Sequence, residues 1–211
     1  MSSVSRRKAA DTLSAIYGNR SFAISTITSM LKANILLGDP AGGVSQSAPP
    51  VNCALSLHDF IARTRAESYS TYPDPAGGLL RGSVLHKRPD ATVSADPRMS
   101  RDDMGIDLDD LGVSDGEFLM GFEGVWQVSD ENADLAVLHG THLMASLRGY
   151  THPSMIRKIV GWDHIDGFVW FHTASPDAAV LNWIGTGVIL PPDDRTGTWG
   201  WAVRPSGLKS L

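Results

Sequence analysis

The stretch WDHIDGFVWFH, residues 162–172, packs two tryptophans, two phenylalanines, two histidines and two aspartates into eleven positions. Read as a single strand, its side chains alternate with period 2. His164, Asp166, Phe168, Trp170 and His172 then share one face, and Ile165, Gly167, Val169 and Phe171 the other. Trp162 and Trp170 also fall on one face and are expected to anchor packing. The polar start, Asp163 to Asp166, is expected at the edge of the sheet. If Trp170 is buried, its truncation to Ala should cost about 3–5 kcal/mol.

Around this stretch the second half of the chain reads as β. Apolar runs at Glu117–Val128, Leu135–Leu147, Ile165–Thr173 and Ala179–Leu190 are separated by turn-rich pieces such as SDENAD and TASPDA, and TWGWAV follows near the end. The first third reads as helical. Ile24, Ile27, Met30, Leu31 and Ile35 recur at helical spacing before Gly38 and Pro40, and Ser56 can cap a helix running to about Arg65. A shorter helix is expected over Ser5–Tyr17, with basic residues at its exposed start, where cations oppose the helix dipole. GDPAGGVSQSAPPVN (38–52) has the composition of a linker, and TYPDPAGGLL (71–80) breaks regular structure. Leu79–Lys87 could form a first strand. The expected architecture is α+β, with N-terminal helices packed on a twisted antiparallel β-sheet formed mainly by the C-terminal half. Its expected division is a basic tail (1–15), one globular domain (16–205) with an acidic loop at about 88–116, and a C-terminal tail (206–211).

With 211 residues, 42% of them hydrophobic, the chain suffices for one good core. A net charge of −5 argues against a nucleic-acid-coating protein, and no sequence-specific nucleic-acid partner is expected. The charge is unevenly placed. Residues 1–38 hold Arg6, Arg7, Lys8, Arg20 and Lys32 against Asp11 alone, whereas residues 90–134 hold thirteen acidic residues against Arg98 and Arg101. Arg6, Arg7 and Lys8 thus form a candidate surface for self-association or membrane contact, and Asp102, Asp103, Asp107, Asp109 and Asp110 a candidate acidic partner surface. The single cysteine, Cys53, excludes an internal disulfide and a Cys-rich zinc site. The N-terminus lacks the apolar core of a signal peptide, and no stretch reaches the roughly 18 apolar residues of a membrane span.

Seven histidines invite a metal reading, whose best form joins His164 and Asp166 with His139, His142 or His172. His139 and His142 are three apart and point to opposite faces of a strand unless the chain bends at Gly140. Satisfied hydrogen bonds at a strand end explain such groups as well, so the expectation is no metal and no cofactor, with a His164/Asp166 enzyme kept as an alternative. No Gly-x-Ser-x-Gly elbow surrounds any serine, and the Gly42-Gly43 and Gly77-Gly78 pairs lack the lysine of a phosphate loop. Without a catalytic set the chain reads as a non-enzyme. Trp126, Phe168, Trp170 and Trp183 are expected in a structural aromatic core.

Three blocks carry a resemblance. HIDGFVWFHTASPDAAVLNW (164–183), with His164, Ile165, Gly167, Val169, Trp170, Pro176, Ala178, Leu181 and Trp183, resembles a segment of rhabdovirus matrix proteins of the lyssavirus type. GEFLMGFEGVW (116–126) and AIYGNRSFAISTITSMLKANILLGDP (15–40) are similar to two further blocks, in the same order. The resemblance implies an α+β domain that binds copies of itself, condenses the viral nucleoprotein coil of the nucleocapsid and lines the inner face of the envelope membrane during budding. A glycoprotein tail and host factors are further implied partners. The implied location is the virion, the host cytoplasm and inner membrane face, and the host nucleus. The chain departs from the family in lacking a long lysine-rich tail and a Pro-Pro-x-Tyr motif, offering SAPP (47–50) and YPDP (72–75) instead. A viral capsid or coat protein is the alternative structural reading, although a capsid packaging RNA would carry a stronger basic arm.

Overall fold

A computed structural model describes residues 2–84, 88–89, 103–104, 123, 126–165, 167–192 and 199–205. The chain opens with strand β1 (Ser3–Ser5), whose last residue caps helix α1 (Arg6–Ile16): Ser5 Oγ accepts the Lys8 N–H at 3.2 Å. Ala9, Ala10 and Leu13 are buried, and α1 packs on α2 (Ile24–Lys32), which buries Ile27, Met30 and Leu31. The stretch expected as a basic tail is therefore folded from Ser3 onward. Its small apolar face is what lets the two helices approach. β2 (Gly43–Ser45) pairs antiparallel with β1 and ties the linker-like 38–52 segment back onto the N-terminus. Helix α3 (Leu57–Arg63) buries Leu57 and Phe60 and is capped as expected by Ser56, which accepts the Asp59 N–H.

Strands β3 (Arg65–Ala66) and β4 (Leu79–Ser83) follow, the second at the start of the expected first strand. Short strands β5 (Arg88–Pro89) and β6 (Asp103–Met104) pair antiparallel within the acidic segment. Asp102, Asp107, Asp109 and Asp110 lie outside the described residues, as does most of Glu117–Val128.

Two expected strands are divided. Leu135–Leu147 is instead the end of helix α4 (Asp130–His139) followed by strand β7 (His142–Ser146). Ser129 caps α4 by accepting the Asn132 N–H, Asp130 and Glu131 complement its dipole, and Gly140 ends it with φ +62°. The SDENAD piece is thus a helix start. Strands β8 (Tyr150–Thr151), β9 (Ile156–Ile165) and β10 (Phe168–Ala174) come next. Ala179–Leu190 then divides into helix α5 (Ala178–Ile184), ended by Gly185, and strand β11 (Val188–Ile189), before β12 (Trp199–Val203).

The larger sheet has the order β10-β9-β7-β4-β12, with β4 and β7 parallel at its centre and the other neighbours antiparallel. A smaller sheet orders β3-β11-β8. The architecture is α+β, with N-terminal helices and the larger sheet mainly in the C-terminal half. Leu80, Leu143 and Ala145 face a core shared with α1 to α4, while Leu79 and Met144 face a second cluster with Tyr72, Val180, Trp183 and Ile184. α5 and the segment before β4 thereby cover the second face.

The opening stretch is a hairpin. Ile165 pairs with Phe168 across the two-residue connection 166–167, and Gly167 has φ +82°, a conformation open to glycine. Reversing the chain there breaks the parity of a continuous strand. Phe171 pairs with Trp162, and Trp170 with Asp163, so the two tryptophans lie on opposite faces. Val169 and Phe171 are fully buried; Phe168 and Trp170 are half-buried and do not form the expected core. Trp126 and Trp183 are buried as expected, at 8% and 7% exposure. Helix α4 lies along β9, where Trp162 donates to Asp134 at 3.0 Å and His164 pairs with Asp130 at 3.3 Å.

Candidate functional site

Two regions carry chemistry beyond packing. The first is the start of α1, whose first turn contains Arg6, Arg7 and Lys8 and no acidic residue. The backbone N–H groups of that turn add partial positive charge. Arg6 is turned into the fold, donating to Thr28 Oγ1 at 3.1 Å and to the Pro40 carbonyl at 2.7 Å. It ties α1 to α2 and to the segment after it. Arg7 and Lys8 remain exposed. Beside Lys8 an open groove of about 530 Å³ is lined by Val4, Leu57 and Ile61 together with the polar Ser2, Thr12, Gln46, Ser47 and His58. Apolar side chains beside the Lys8 ammonium suit an amphipathic or anionic surface.

The second region centres on His142, which is fully buried at the first position of β7. Side chains of one strand alternate, so His142 shares a face with Met144 and looks toward α5 and the 69–78 segment. Tyr72 Oη lies 2.9 Å from His142 Nδ1 and 3.2 Å from the Gly78 carbonyl. A tautomer that satisfies these groups places the ring proton on Nδ1, donating to Tyr72, whose hydroxyl donates to Gly78. Nε2 is then an acceptor, and the Asp177 N–H donates to it at a long 3.4 Å.

Two carboxylates flank the ring. Asp74 Oδ2 is 3.8 Å from Nδ1, and Asp177 Oδ2 is 3.6 Å from Nε2. Together Asp74, His142 and Asp177 offer ligand atoms within 4.8 Å of one another. Lys158 Nζ contacts both oxygens of Asp177, at 3.2 and 3.0 Å. Burial lowers the His142 pKa below its usual value; the two aspartates oppose that shift, and Lys158 adds to it. The net effect favours the neutral imidazole. Burial, with Asp74 and Asp177, raises the Tyr72 pKa, so its hydroxyl stays protonated and able to donate.

Local geometry in two loops sets the positions of these groups. Asp74 Oδ1 accepts the Gly77 N–H at 2.9 Å, and a Cβ at Gly77 would come within 2.1 Å of Asp74 Oδ2. Only glycine leaves that carboxylate in place. Asp177 occupies the N-cap position of α5, yet its side chain caps no helix N–H. It serves Lys158 and faces His142 instead. Trp183 packs edge-on against Tyr72, with centroids 5.3 Å apart, and donates to Thr71 Oγ1 at 2.9 Å.

The expected metal set is dispersed. His164 is exposed and paired with Asp130, Asp166 lies outside the described residues, and His172 pairs with Asp163 at 3.1 Å across the hairpin. His139 ends α4, while His142 starts β7, so Gly140 separates the two instead of converging them. Of the histidines considered, His142 alone belongs to the cluster. Asp74 and Asp177 were missed because they sit in segments read as breakers; each directly follows a proline, Pro73 and Pro176, which is the one local regularity they share. No family model, curated protein or solved structure matches the chain.

Proposed function

We propose that this protein is a matrix-type assembly protein of an enveloped virus, which binds copies of itself, condenses the nucleocapsid and links it to the inner face of the membrane. The three sequence blocks and the α+β architecture support the reading. Among the described residues no helix is long and apolar enough to cross a membrane, so contact with a bilayer would be at its surface. The observation that carries the proposal is the exposed pair Arg7 and Lys8 on a helix whose first turn holds no acid, with Lys8 also lining a groove that includes Val4, Leu57 and Ile61.

Cations at a helix N-terminus are locally unfavourable until an anion meets them. In assembly that anion is the acidic segment of a neighbouring copy, including Asp102, Asp103, Asp107, Asp109 and Asp110. Such a head-to-tail contact propagates instead of closing on itself. At a membrane the anions are lipid headgroups, and two cations contribute about 2 kcal/mol, roughly thirtyfold in partitioning.

The test is the double variant Arg7→Glu/Lys8→Glu, sparing Arg6 because it staples helices. Sedimentation velocity at low and high salt, and flotation with phosphatidylserine vesicles, should show loss of both assembly and vesicle binding. Oligomers that persist unchanged in the variant and in 0.5 M salt (Debye length roughly 4 Å) would refute it.

A further inference from the structure

We propose that Asp74, His142 and Asp177 form a binding site for one divalent transition-metal ion of the zinc class. This goes beyond the assembly reading and rests on different residues. One imidazole and two carboxylates form the mixed nitrogen and oxygen donor set that such ions accept with three protein ligands and one open position. Tetrahedral coordination at roughly 2.0–2.2 Å places ligand atoms about 3.3–3.6 Å apart. The separation of 3.6 Å between Asp177 Oδ2 and His142 Nε2 already meets that spacing; Asp74 Oδ2 stands 3.8 Å from Nδ1, and with one ligand atom counted from each residue the set lies within 4.8 Å.

The histidine is prepared for the role. Its ring is fully buried, and Tyr72 holds Nδ1, the kind of outer hydrogen bond that fixes a ligating imidazole and its tautomer. That leaves the Nε2 lone pair facing Asp177, with a 3.4 Å N–H contact to give up. Asp177 supplies the independent indication. An aspartate at an N-cap normally accepts a helix N–H, but this one directs its carboxylate toward Nε2 and Lys158. The carboxylates are partly exposed, 32% for Asp74 and 50% for Asp177, and provide an entrance from solvent to the buried nitrogen.

Lys158 is the built-in competitor. Its ammonium holds both oxygens of Asp177, and a divalent ion would have to displace it. The site therefore exchanges a lysine for a metal, and removing the lysine should strengthen metal binding, an effect that a purely structural ion pair does not predict.

Equilibrium dialysis of the full chain against Zn²⁺, read by elemental analysis, tests this with Asp74→Asn, Asp177→Asn and Lys158→Met. The expected results are one bound zinc, at least about tenfold weaker binding in each Asn variant, tighter binding in Lys158→Met, and a zinc-dependent shift of the His142 imidazole NMR signals. Far-UV circular dichroism verifies that the variants fold; a variant that unfolds is replaced by the corresponding Asp→Ser change. Failure to bind stoichiometric zinc, or zinc binding unchanged by both aspartate substitutions and therefore held elsewhere, overturns the proposal.

Discussion

Replacing Tyr72 by Phe removes one oxygen atom from the centre of the second core cluster, and the structure allows the cost to be worked out. The ring stays, so its packing against Trp183 at 5.3 Å is kept. Two hydrogen bonds are lost, to His142 Nδ1 at 2.9 Å and to the Gly78 carbonyl at 3.2 Å. The Gly78 carbonyl still accepts the His142 backbone N–H at 3.3 Å, so it is not stranded. The His142 Nδ1–H is stranded inside a fully buried side chain. Leaving one buried donor unpaired costs about 1–3 kcal/mol. The ring can limit that loss by moving its proton to Nε2, which faces the Asp177 carboxylate at 3.6 Å. Tyr72→Phe should therefore destabilise by about 1–2 kcal/mol, and adding Asp177→Asn should raise the cost by more than the two single effects combined. Urea denaturation at pH 7.5, read by tryptophan fluorescence, measures all three variants. A loss under about 0.3 kcal/mol for Tyr72→Phe, or strict additivity with Asp177→Asn, would refute the hydrogen-bond assignment.

Two further outcomes follow from other parts of the fold. A Cβ on Gly82 would lie 2.1 Å from Trp126 Cζ3 and Cη2, so Gly82→Ala should cost about 1–3 kcal/mol by overpacking, and Trp126→Leu in the same chain should recover part of it in chemical denaturation. Acid should destabilise the protein through the buried His142 and the half-buried His152. Burial lowers His152 to about 4 and lowers His142 as well, whereas an unfolded histidine titrates near 6.5, so between these values the unfolded chain binds more protons and stability falls as pH falls. The His152 contribution is about 2 kcal/mol by pH 5. His152→Asn, which can still accept the Ser154 N–H, should flatten the stability curve between pH 7 and 5.

The amino-acid sequence determined the elements whose signals are local. Ser5 and Ser56 announced helix starts, the spacing of Ile27, Met30 and Leu31 announced a buried helix face, and Leu79 marked a strand, because caps and periodicity act within a few residues. Local signals for the missed boundaries were present too. Ser129 with Asp130 and Glu131, Gly140 and Gly185 mark helix ends, and an Asp-Gly dipeptide is a sequence signal for a hairpin turn; apolar runs read as strands concealed them.

Other features depended on tertiary structure alone. Which face of β10 is buried follows from the reversal at 166–167 and from α4 lying along β9, not from alternation within β10. Arg6 became a staple because Thr28 and Pro40 fold within its reach, whereas Arg7 and Lys8 did not find partners of that kind among the described residues. The His142 cluster draws on residues 72, 74, 142, 158 and 177, and no local pattern can link positions so far apart. They meet because β7 starts beside the 72–78 segment while β9 and the β10–α5 turn converge over the same end of the sheet. Burial there removes water from the imidazole, and that desolvation, which a sequence cannot display, favours the neutral form of a ring that the fold has placed between two carboxylates.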